Sequence, residues 1–142
     1  MLELTNHQFK NHKFYIPKHD LKYLFVGTFN PEYGRKVPYY YGRKSNYFWK
    51  IISNIFNIDI NPFEDNFFKK LEDLKIGCVD IVDNVIYEKE KYHSLINGEG
   101  YPDEVIFKKK NNITINYNTQ QIIDVVKKNN LKKIYITNKG DV

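Results

Sequence analysis

From Leu21 to Phe29 the sequence reads LKYLFVGTF, an apolar run whose one charge, Lys22, lies at its start. A continuous run of this length, bounded by charge and broken at Gly27, is the pattern of a buried strand. The next residues narrow the possibilities. Residues 30–44 carry Asn30-Pro31, Gly34, Pro38 and Gly42 and read as a loop. Phe48, Trp49, Ile51, Ile52, Ile55 and Phe56 then fall at helical spacing behind Ser45, the expected N-cap. A buried strand, a polar loop at its carboxyl end and a covering helix make the usual ligand site of an open α/β sheet.

Downstream the same alternation continues. A second helix is expected from Asn61-Pro62 to about Leu74, ended by Gly77, and Cys78–Val82 reads as a short buried strand interrupted by Asp80. Residues 83–117 show no clear periodicity and read as loop with one or two short elements. Asn118 and Gln121 have the spacing of a capping box for a helix carrying Ile122, Ile123, Val125 and Val126. Leu131–Thr137 reads as a third strand, followed by an Asn138-Lys139-Gly140 turn. Strands alternating with helices predict an α/β fold, a three-layer α/β/α arrangement around a mainly parallel sheet. Residues 1–20 read as an N-terminal arm. His7, His12 and His19 in that arm are five and seven residues apart, which is no zinc spacing, and they are expected at the surface.

A chain of 142 residues is the size of one domain. Its lone cysteine, Cys78, excludes an internal disulfide framework and suits a reducing compartment. No apolar run is long enough to span a bilayer and no signal-peptide layout is visible, so a soluble, cytoplasmic monomer is expected. The net charge of +5 comes from 20 Lys and 2 Arg against 17 acidic residues. Such a balance suits nucleic acid or simply a solvated lysine-rich surface.

Several chemistries are disfavoured. Asn138-Lys139-Gly140-Asp141 has the shape of a guanine-specificity element, but no phosphate loop accompanies it. There is no GxSxG elbow, and Cys78 sits mid-strand, where buried thiols are inert. Asp80 and Asp83 would face opposite sides of a regular strand, which argues against a paired-carboxylate site. Asp80 is expected to be a buried polar residue bonded to a nearby loop.

The stretch from Gly27 to Trp49 supplies a positive lead. Gly27, Asn30 and Pro31 lie in the turn, and Tyr41, Asn46, Phe48 and Trp49 follow as Y-x4-N-x-F-W. This resembles the N-terminal motif region of the uracil-DNA glycosylase superfamily, nearest to its mismatch-specific uracil and hypoxanthine-DNA glycosylase branches. Arg43-Lys44 stands where those families have His-Pro, and the turn is one residue longer before Asn-Pro than in the mismatch-specific form. Ile76–Asp80 resembles the family's second strand and Ile134–Gly140 its third strand and turn. The family's fourth strand has no counterpart before Val142, so the expectation is one domain over 1–142 lacking its last strand, either a fragment or a reduced relative.

The resemblance implies base-excision hydrolysis of an N-glycosidic bond, acting on a deaminated or mismatched base flipped out of DNA, without metal or organic cofactor. Asn30 or Asn46 would orient the attacking water, according to the branch. Backbone groups of Gly27, Thr28 and Phe29 would bind the base, Tyr41 would stack on it, and Asn138 would reach the same pocket. Arg35, Lys36, Arg43 and Lys44 would contact DNA phosphates. The alternative is a non-catalytic nucleic-acid-binding or interaction domain with the same fold.

Overall fold

A computed structural model describes residues 1–137, so the expectation for Asn138 lies outside the described residues. The fold is a mixed α/β structure of two three-stranded sheets. The strands are β1 (Leu2–Asn6), β2 (Tyr23–Gly27), β3 (Ile76–Asp80), β4 (Val82–Glu88), β5 (Thr114–Tyr117) and β6 (Lys133–Ile136). The helices are α1 (Phe48–Phe56), α2 (Phe67–Leu74), α3 (Lys89–Ile96), α4 (Glu104–Phe107) and α5 (Thr119–Lys128).

One sheet is parallel, in the order β3-β2-β6, with Tyr23 opposite Ile76 and Gly27 opposite Asp80. Both faces are covered over β2 and β3, whose alternate residues are apolar on either side, while β6 is exposed along its length. Phe25 and Cys78 pack with Trp49, Ile52, Phe67 and Leu71 of α1 and α2. Leu24, Val26 and Val79 pack on the opposite face with Val125 of α5.

The second sheet is antiparallel, in the order β1-β4-β5, and it departs from a mainly parallel expectation. The stretch 1–20 is not an arm: β1 pairs along β4 from Leu2 opposite Glu88 to Asn6 opposite Asn84. Residues 83–117 are not mainly loop either, since they supply most of β4, all of α3 and α4, and β5. Val82, Val85, Tyr87, Ile96, Val105 and Ile106 make a separate core beneath that sheet. The two sheets share one stretch of chain. β3 passes into β4 with only Ile81 between them, while the Ile81 and Val82 N–H groups donate to the Gly27 and Thr28 carbonyls at 3.0 and 3.1 Å. The junction therefore stays hydrogen-bonded to the end of β2.

Several element ends differ from the sequence expectation for local reasons. Tyr47, not Ser45, takes the N-cap position of α1 and makes no side-chain cap bond, while Asn46 Oδ1 accepts the Phe48 N–H at 2.9 Å in the turn before it. Asn61 makes the equivalent turn with Phe63 at 3.0 Å, and α2 starts only at Phe67. α2 ends with Lys75 in the left-handed region at φ 59°, so Gly77 is not its terminator. Gly77 lies inside β3, where a Cβ would stand 2.7 Å from Pro17 Cγ and 2.9 Å from Leu21 Cδ1. Its role is close packing. Among the described residues no helix is long and apolar enough to cross a membrane.

The two-sided burial of β2 makes its interior the most sensitive part of the fold. Leu24 is 0 % exposed, so Leu24→Ala is expected to cost about 2–5 kcal/mol in urea unfolding, through lost burial and a residual cavity. Ile51→Ala, at a side chain 55 % exposed on α1, is expected to stay within about 0.5 kcal/mol.

Candidate active-site cleft

β2 and β3 run in the same direction, so their carboxyl ends deliver Gly27 and Asp80 side by side. Past Val82 the chain continues along β4, while past Thr28 it turns into the Asn30-Pro31 loop, which leaves a crevice at this edge. A cleft of about 320 Å³ opens there, lined by Gly27–Pro31, Tyr40–Arg43, Asp80 and the 98–103 loop, among others. A volume of that order suits a single small ligand unit such as a nucleobase.

Asp80 forms the floor and is 2 % exposed. Its Oδ2 accepts from His7 Nε2 at 2.6 Å and from Asn30 Nδ2 at 2.8 Å. The tautomer of His7 is set by its other nitrogen. Nδ1 accepts the Phe9 N–H at 3.1 Å and so carries no proton, leaving Nε2–H to donate to Asp80. His7 is 1 % exposed and ringed by Phe9, Tyr15, Phe29 and Tyr40, which corrects the expectation of a surface histidine. Asp80 Oδ1 lies over Gly27, where a Cβ would come within 2.4 Å of it and 3.1 Å of the Tyr41 hydroxyl. Glycine at 27 is what lets a carboxylate lie across the strand end.

Because Asp80 only accepts, the amide of Asn30 has one workable orientation: its NH2 faces Asp80 and its Oδ1 is turned away from that carboxylate. Asn30 is thus a half-buried residue in the cleft with a fixed amide. Asn46 also lines the cleft but is exposed, and its Oδ1 is committed to the start of α1.

Tyr41 adopts φ 58°, a left-handed conformation that costs an aromatic residue about 1–3 kcal/mol and persists only when its surroundings enforce it. Two contacts do so. Its ring stacks on Phe48 at 3.9 Å between centroids. Its hydroxyl lies 2.7 Å from Thr137 Oγ1. The Thr137 proton goes to the Val26 carbonyl at 3.2 Å, so Tyr41 is the donor of that bond. Burial and nearby negative charge push the Tyr41 phenol upward, keeping it neutral.

Of the four basic residues expected at the rim, Arg35 and Arg43 line the cleft. Arg35 also stands 3.9 Å from Glu99 in an exposed ion pair worth little in stability. Lys36 turns back to the Glu32 carbonyl, and Lys44 lies over the Phe63 ring at 5.8 Å, so neither lines the cleft. Phe48 and Trp49 belong to the core: Trp49 is 3 % exposed and donates its indole N–H to the Tyr40 carbonyl at 2.8 Å.

Three site residues gave no sequence signal. His7 comes from a stretch that reads as an arm, and Tyr101 and Asp103 from the segment without periodicity. Asp103 lines the same cleft as Asp80 and feels its charge. Burial raises its carboxyl to about 6, and the Asp80 charge adds to the rise, while a Thr28 hydrogen bond, Arg43 and Tyr101 pull the other way. The Tyr101 hydroxyl is close enough to Asp103 to affect it, yet buried without a hydrogen bond of normal geometry. A hydroxyl in that condition costs about 1–3 kcal/mol unless something enters to meet it. Cys78 is buried and its thiol is held high by that burial, as expected of an inert core residue. No protein-family model, curated protein or solved structure was found to match the chain.

Two measurements check this geometry. His7→Ala removes a donor from a buried carboxylate and is expected to cost about 1.5–3 kcal/mol in urea unfolding. Asp103 binds its proton more tightly in the folded chain than at its ordinary value of 3.8, so its contribution to stability is complete below that pH and is lost as pH rises through about 6. Carbon-detected NMR is expected to show Asp103 titrating near 6, moving down in Asp80→Asn and up in Arg43→Ala.

Proposed function

We propose that this cleft binds a nucleobase turned out of DNA and hydrolyses its N-glycosidic bond, in a uracil-DNA glycosylase-like α/β/α domain. The observation that carries the reading is Asn30, its amide locked by Asp80 on the floor of a base-sized cleft at the strand ends. Hydrolysis of a glycosidic bond passes through a sugar with oxocarbenium character, so the protein has to hold a water against C1′ and receive a departing base. The Asn30 Oδ1 can accept from that water and orient it without adding charge. Asp80 Oδ1, the oxygen not engaged by His7 and Asn30, can take the proton the water sheds. Backbone of Gly27 to Phe29 lines the same cleft and supplies groups for the base carbonyls. Tyr41 offers an aromatic wall, and Arg35 and Arg43 stand where phosphates flanking an extruded nucleotide would pass.

Asn30 is favoured over Asn46 as the water-orienting residue, since the Asn46 oxygen already accepts the Phe48 N–H in the turn that leads into α1. The test is single-turnover excision from oligonucleotides carrying uracil, hypoxanthine or a G·T mismatch. Asn30→Ala and Asp80→Asn are expected to slow excision about 100-fold or more. Asn46→Ala should slow it far less, by no more than a weakened helix start explains. Salt-sensitive DNA binding without release of any base would reject the enzyme and leave the binding-domain alternative standing.

A further inference from the structure

We infer that Asp103 is the general acid of this cleft, giving its proton to the departing base, with Tyr101 and Thr28 as positioning residues. The inference rests on the glycosylase reading and assigns the half of the reaction that Asn30 and Asp80 leave open. Those two residues serve the attacking water from the floor. Nothing in the β2 turn, whose side chains are those of Thr28, Phe29 and Asn30, can neutralise the electron pair that the base carries away.

Asp103 comes from a different part of the fold. It lies just before α4 and lines the same cavity as Asp80. Two carboxyls lining one cleft, one fixed by two donors and the other in a raised, proton-holding environment, divide naturally into acceptor and donor roles. The groups facing Asp103 are Thr28 from the β2 turn, Asp80 from β3, Arg43 from the loop before α1 and Tyr101 from its own loop. Thr28 hydrogen-bonds the carboxyl, which sets its direction. The Tyr101 hydroxyl, on a residue 8 % exposed, is buried in the same wall without a bond of normal geometry. It lies against the Asp103 carboxyl and helps hold it in place.

Protons and electrons balance over the step. Water attacks C1′ while the C1′–N bond breaks and its electron pair moves into the base. The Asp103 proton passes to that base, which leaves neutral. The proton lost by the water goes to Asp80 and then to solvent, and Asp103 is recharged from solvent.

The experiment has two arms. In the first, single-turnover excision of uracil and hypoxanthine from oligonucleotides is followed from pH 5 to 8. The parent rate is expected to fall about tenfold per pH unit above about 6. Asp103→Asn should lose about 100-fold at pH 6 and show a flat profile, with Asp103→Glu restoring the limb at an altered midpoint. Tyr101→Phe should keep the limb and move it to higher pH, because the Tyr101 hydroxyl holds the Asp103 carboxyl down. A parent profile with no limb near 6, or an Asp103→Asn profile that keeps it, overturns the assignment. In the second arm, calorimetry measures binding of free uracil and free hypoxanthine at pH 5 and pH 8. At least one base should bind about tenfold or more tightly at the lower pH, and equally at both in Asp103→Asn. Equal affinity at both pH values in the parent overturns the assignment even where excision is absent. Binding that tracks Asp103 in a protein that excises nothing rejects the glycosylase and keeps Asp103 as a base-recognising acid.

Discussion

A carboxylate buried at the meeting point of two sheets is the constraint around which this protein is arranged. Removing Asp80 from water costs several kcal/mol, and each hydrogen bond to a charged oxygen returns about 1.5–3. A single donor would leave the balance unfavourable, whereas two bring it near zero. The fold supplies two, from elements far apart in sequence: His7 after β1 and Asn30 after β2. Their positions require β1 to be docked on β4 and Gly27 to lack a side chain. Even Asn118, buried at the start of α5, is used here: its side chain donates to the Asp80 carbonyl at 3.3 Å and not to its own helix.

The parts of the fold legible in the sequence are those where periodicity is strong. The run through Leu24, Phe25 and Val26, the Asn30-Pro31 turn and the apolar spacing of Trp49 and Ile52 were visible because each depends on local pattern. The parallel sheet and the helices on its two faces came with them. The antiparallel sheet was hidden because β1 and β5 carry no continuous apolar run and are mostly exposed or half-buried, so neither shows a buried-strand pattern. Asn118 and Gly77 misled for a shared reason. Both have a common local use, as cap or terminator, and both are employed instead in a tertiary contact. Local preference is a weak prior when a close approach or a buried carbonyl competes for the residue.

The cleft was legible in the same partial way. Gly27 to Asn30, Tyr41, Arg35 and Arg43 converge because they lie within one strand-loop-helix unit. His7, Tyr101 and Asp103 reach the cleft through the second sheet and its helices, and no spacing rule links residue 7 to 80 or 103 to 28. Asp80 was recognisable as buried and polar, but its partners were not. Lys36 and Lys44 fell away because a loop lysine close in sequence has other places to go, a carbonyl for one and an aromatic ring for the other.

The single stretch running from β3 through Ile81 into β4 has a consequence for how the molecule is assembled. It is the central partner of the antiparallel sheet and an edge of the parallel one, so both sheets are incomplete without it. The pairing of His7 with Asp80 spans 73 residues, and that of Asn30 with Asp80 spans 50. During synthesis β1 and β2 emerge long before the strand that joins them, and both must wait with unpaired edges. Bringing that one stretch into place closes the loops back to both β1 and β2. A cleft built this way has no half-formed version: until the shared strand is in place, there is neither a floor nor anything to hold it.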